Sequence, residues 1–190
     1  MADQTDNRVS ATPGADGPSA EGIAAAASKA GKSGLPPVHL WNPPFCGDLD
    51  MRIKADGTWF YQGTPIGRPA MVRLFSTVLK REGDKFFLVT PVEKVGIVVE
   101  DAPFLAVDAE IAPDRITFTT NVGDEVVADA ENPIILRGDA QEPRPYVHVR
   151  RGLEALIDRK TFYRLAAAAD EGPEGRVGVR SLGQFFPLEL

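Results

Sequence analysis

The acidic pair Asp48 and Asp50 is the first place in this 190-residue chain where residue type and spacing invite chemistry. Two residues apart on a strand, both carboxylates face one side. Such a pair can hold a hard cation or divide acid and base roles. No third carboxylate follows at a recognisable ligand spacing, so a solvated strand face accounts for the pair and no metal is assigned. The two histidines, His39 and His148, come with no Cys/His cluster, no HExxH run and no Gly-x-Ser-x-Gly elbow. Zinc and serine-nucleophile chemistry therefore lack a motif. Cys46, the single cysteine, reads as a small packed side chain and suits a reducing compartment. Gly57, Gly63 and Gly67 match neither a P-loop nor a dinucleotide fingerprint and serve turns.

A larger group carries the binding expectation: Trp41, Phe45, Arg52, Trp59, Tyr61, Arg68, Thr90 and Lys94. An aromatic face can stack on a base or other planar moiety while Arg or Lys clamps an anionic group. Arg52 lies between the inward-facing Met51 and Ile53 and is expected on the opposite strand face. Trp59 and Tyr61, two apart, share a face. The competing reading places each aromatic in the core or in the packing of the Trp41-to-Phe45 arm. Arg73 and Arg164, beside the apolar Leu74 and Leu165, are expected to pair with carboxylates near the buried face.

These residues need elements to hold them. Residues 1–37 are dominated by Ala, Gly, Pro and Ser and contain no aromatic residue. They read as a disordered or loosely docked tail, with a short helix possible over Glu21 to Ala30. Two β-rich halves follow, over 38–100 and 101–190. In the first, Asp48 to Ile53 alternates as a half-buried strand, Asp56-Gly57 turns it, and Thr58 to Tyr61 returns. Pro69 opens a helix whose apolar face is Met71, Leu74, Phe75 and Val78, closed by Glu82-Gly83-Asp84. Phe86 to Val89 and Lys94 to Glu100 are strands. Phe104 to Arg137 reads as an antiparallel meander with turns every eight to twelve residues, and Gly138 to Pro145 as a joint.

A weak echo links the halves. With Arg68 over Arg159, Arg73 meets Arg164, Leu74 meets Leu165, Phe86 meets Val177 and Thr90 meets Ser181. Met51-Arg52-Ile53 likewise faces Val147-His148-Val149. The fold expectation is α+β, mostly β: an internal duplication with barrel-like antiparallel sheets, each with one helix. A cleft between related halves is a natural pocket.

The strings Cys46 to Ile53, Gly57 to Gly63, Pro65-Ile66, Thr90 to Lys94 and Val99 to Phe104 resemble the bacterial domain-of-unknown-function 1285 family, from about residue 38 to the end. The resemblance implies a duplicated β-rich fold with a pleckstrin-homology-like C-terminal half. It also implies a ligand site between the halves and a role in signal transduction, with a nucleotide-like ligand. It brings no catalytic activity.

A net charge of −6 disfavours an extended nucleic-acid or anionic-membrane footprint, and no stretch nears the about 18 apolar residues of a membrane span. The expectation is a soluble, cytoplasmic binding or regulatory protein without a cofactor, taking a small anionic ligand or a peptide between the halves. The alternatives are a metal-assisted hydrolase using Asp48 and Asp50, and a protein-interaction module.

Overall fold

Alternating burial along the first strand sets the frame. In β1 (Phe45–Ile53), Leu49, Met51 and Ile53 point inward while Asp48, Asp50 and Arg52 face solvent. The computed structural model describes residues 17–190. The Asp56-Gly57 turn returns the chain into β2 (Trp59–Tyr61), with Ile53 opposite Trp59. Gly57 is needed there twice over: its φ is +83°, and a side chain would lie within about 3.0 Å of Leu105 and Asn121. A short β3 (Thr64–Pro65) precedes α2 (Pro69–Thr77), which starts on Pro69 and buries Phe75. Trp59 stacks on Phe75 at 6.3 Å between ring centroids. Burying a ring such as Phe75 contributes about 1.5–3 kcal/mol.

The helix ends at Thr77, short of the expected closure at Glu82-Gly83-Asp84. Leu79–Glu82 is instead a strand, β4, paired antiparallel with β5 (Lys85–Val89) so that Leu79 faces Leu88 and Glu82 faces Lys85. Gly83, at φ +61°, makes the turn. β6 (Lys94–Val99) completes a six-stranded sheet in the order β3-β2-β1-β6-β5-β4.

The second sheet repeats this plan. It holds β7 (Phe104–Ile111), β8 (Ile116–Thr120), β9 (Glu125–Val127), β10 (Ile134–Gly138), β11 (Pro143–Arg150) and β12 (Leu153–Ile157), in the order β10-β11-β12-β7-β8-β9. In each curled sheet two three-stranded meanders meet through their first and last strands. That central pair is parallel, β1 with β6 and β7 with β12, so the sheets are not purely antiparallel. The duplication is therefore β1–β6 against β7–β12. The echo of α2 in α3 (Arg159–Ala167) keeps the local order of hairpin and helix but follows a different register. α2 joins two meanders inside one sheet, whereas α3 leads out of the second sheet into a small third one of β13 (Asp170–Glu171), β14 (Val177–Ser181) and β15 (Gln184–Pro187). Buried Ser181 on β14 accepts a hydrogen bond from the Ile116 amide and ties this appendage to β8.

Ala20–Ala30 forms α1, capped by Ser19, whose hydroxyl accepts from the Gly22 amide. Its buried residues Ala20, Ile23 and Ala27 lie three and four apart, and that face packs on α2. Packing, not propensity, holds a helix this short. Residues 1–16 of the expected tail lie outside the described residues. The apolar core is continuous from Ile23 through both sheets to Phe186. Guanidiniums stitch the joint across it: Arg73 donates to the Val122 carbonyl, Arg150 to Ser76, and Arg144 meets Asp101 at 2.7 Å.

Candidate functional site

Between the halves lies a cleft of about 370 Å³. Four segments wall it: the strap after α1 (Leu35, Val38, His39), the C-terminal end of α2 (Thr77), β4 (Leu79, Lys80, Arg81) and the β11–β12 hairpin (Arg150, Arg151, Leu153). Val38, Leu79 and Leu153 form a buried aliphatic floor, at 4%, 2% and 2% exposure. Every other wall residue except Thr77 and Leu35 is cationic or a histidine, and no carboxylate lines the cleft among the described residues.

The cations differ in how far they are committed. Arg81 donates to the Gly83 and Gly152 carbonyls, neutral partners that leave its charge uncancelled. Lys80 reaches the Trp41 carbonyl and lies 3.3 Å from Glu82, which also binds Lys94 at 3.0 Å. The Lys94 hydrogen bond, followed in effect by Lys80, holds the Glu82 carboxyl below the usual range. Arg150 pairs with Asp124 at 2.6 Å and lies over Phe104. Arg151 is exposed and makes no ion pair among the described residues. It occupies the first turn position of the hairpin at φ +47°, where a β-branched or bulky residue is an outlier. His148 pins that tip. Its Nδ1 lies 2.9 Å from the Glu131 carbonyl, and its Nε2 accepts from the Gly152 amide at 2.9 Å.

The structure does not bring the aromatic and cationic group of the sequence onto one surface, and none of its members lines this cleft. Trp59 is buried on Phe75. Thr90 is buried and locks its own turn by accepting from the Val92 and Glu93 amides. Trp41 packs half-buried against the core, as does Tyr61. Arg52 faces outward as expected and meets Glu100 at 3.3 Å. Arg68 is exposed at the start of α2. Phe45 and Lys94 do meet, in a hollow of about 500 Å³ on the outer face of the first sheet that Asp48 also lines. There Phe45 packs edge-on against Phe87, with Lys94 above the Phe87 ring. Asp50 is exposed on the same strand face. Of the expected Arg–carboxylate pairs, Arg164 finds Asp108 while Arg73 takes a backbone carbonyl.

The cleft residues escape the sequence because Leu79 to Glu82 read as the tail of the α2 helix when only local pattern is weighed. A usable signal is present all the same. Gly83-Asp84 between two short apolar-containing runs is a hairpin cue. It turns Leu79 to Glu82 from helix into strand.

Fold and cleft together define a class: a duplicated β protein whose two curled sheets meet at a joint with a basic, aliphatic-floored cleft. The chain belongs to the DUF1285 family, matching its N-terminal domain, a domain of unknown function, over residues 36–102 and its C-terminal domain over residues 103–188. It is similar to a DUF1285 family protein of Silicibacter pomeroyi DSS-3 with a solved crystal structure. Identity is 61%, over 88% of this chain and 94% of the other, with a TM-score of 0.81. A DUF1285 family protein of Shewanella baltica OS155 is similar at 32% identity over 61% of this chain and 89% of the other, with a TM-score of 0.51. No curated protein matches the chain. Among the described residues, no helix is long and apolar enough to cross a membrane.

Proposed function

We propose that this chain is a binding protein that takes a small anionic ligand in the cleft between its halves. The observation that carries the reading is the cleft's one-signed wall: Lys80, Arg81, Arg150 and Arg151 with His39, and no carboxylate among the described residues. A concave site lined by one sign of charge concentrates counter-charged ligands, and guanidiniums suit carboxylate and phosphate geometry. Because the walls come from both halves, a bound anion links β4 to the β11–β12 hairpin, and that coupling gives a signalling role a physical basis.

Thermal melts in the presence of phosphate, nucleoside phosphates and organic carboxylates test this. At a hundred times its dissociation constant, a ligand specific to the folded state adds about 2.7 kcal/mol and raises the melting temperature by several degrees. At least one anion is expected to do so, and Arg151→Ala is expected to shrink the shift. If no anion shifts the melt, or if Arg151→Ala and Lys80→Ala leave the shift intact, the reading fails.

A further inference from the structure

The cleft's floor says more about the ligand than its charge does. Resting on the reading of the cleft as an anion site, we propose that the ligand is a single-chain aliphatic carboxylate. Its head is held at Arg151 and Arg81, and its chain lies along Val38, Leu79 and Leu153.

Large aromatic rings are missing from the cleft among the described residues. No Phe, Tyr or Trp lines it among the described residues, and His39 supplies its imidazole ring. Two rings beside the cleft are covered by its own cations: Arg81 lies over Phe86 and Arg150 over Phe104, at 5.4 and 5.1 Å from the ring centroids. A nucleobase therefore finds only the His39 imidazole and the guanidinium planes to stack on, while the charge alone would accept its phosphates. Aliphatic surface, in contrast, comes from three segments at once. The buried floor continues at the rim into Leu35, which is 53% exposed at the mouth of the cleft. A hydrocarbon chain in the cleft would cover that leucine. The volume of about 370 Å³ lies near the small end of the roughly 300–1,000 Å³ of ligand pockets. That suits one short chain and excludes a two-chain lipid.

The head-group end is also built. Arg151 sits in its positive-φ turn with the hairpin tip held on both sides, by His148 at the Gly152 amide and by Arg81 at the Gly152 carbonyl. This fixes where the guanidinium starts while leaving its charge to the cleft.

Isothermal titration of the full chain with straight-chain carboxylates from four to twelve carbons, kept below their micelle concentrations, tests the proposal. Affinity should rise about fourfold per added methylene and level off when the floor is covered. Matched alcohols should bind more weakly. Arg151→Ala should reduce the preference for carboxylate over alcohol while keeping the methylene increment. Leu35→Ser, at an exposed position that folding tolerates, should reduce the increment for the longer chains. If phosphate or nucleotides bind and carboxylates show no chain-length dependence, the aliphatic proposal is overturned while the anion site stands. If no anion binds at all, both fall. Carboxylate binding that is indifferent to both substitutions would place the chain elsewhere and also overturn the proposal.

Discussion

His148 bonds through both ring nitrogens, to the Glu131 carbonyl and to the Gly152 amide. One contact needs a donor and the other an acceptor, which a neutral ring with its proton on Nδ1 supplies. In the sequence His148 comes with no metal or catalytic motif and only matches Arg52 in the echo. Its role emerges only once the neighbouring hairpin turn folds back onto it. Replacing it with leucine removes both bonds and should cost about 1–2 kcal/mol. Hydrogen exchange gives the sharper readout: the Gly152 amide should lose protection in His148→Leu while the β11–β12 ladder keeps its own. Unchanged protection at Gly152 would contradict the pinning. Arg52 is legible by contrast, since strand alternation alone sends it outward, where Glu100 meets it.

At the level of elements, helical spacing in Met71 to Val78 is real but does not extend to Glu82. Val78 is fully buried just past the helix end, and Leu79 pairs with Leu88 across a strand ladder. A four-residue run has too little pattern to separate the two periods, and the antiparallel partner decides it. The same decision places Leu79, Lys80 and Arg81 on the cleft wall. α1 shows the opposite balance. Its alanines favour a helix, yet its place depends on Ile23, which is fully buried. Ile23→Ala should cost about 2–5 kcal/mol and raise amide exchange across Ala20–Ala30 ahead of the sheets. Equal stability of the two proteins in denaturant melts would mean that α1 is not docked through that residue.

For the whole molecule, two sheets of one plan share a continuous core and are tied by Arg73, Arg150 and Arg144 across the joint. Sheets sharing a core should unfold together. Calorimetry should therefore show a single transition whose van't Hoff and calorimetric enthalpies agree, and a cleft ligand should move it as one. Two resolved transitions would show the halves to be independent and would weaken any coupling through the cleft. The duplication itself is legible only as two related β-rich halves, since α2 has no counterpart inside the second sheet. Its register is not, because the α2–α3 resemblance is local whereas strand pairing between the first and last strands of a sheet is long-range.

The sequence by itself determined the mostly β content, the Asp56-Gly57 hairpin, the outward Asp48, Asp50 and Arg52, and the existence of related halves. These come from periodicity, turn chemistry and burial, which are properties of short windows. Tertiary structure alone decided which side chains meet. It buried Trp59 and Thr90, left Phe45 and Lys94 on an outer face, and gathered His39, Lys80, Arg81, Arg150 and Arg151 around one floor. Those five come from three segments far apart in the chain. Residue type can nominate a cation, but only the packing of one sheet against the other gives it neighbours.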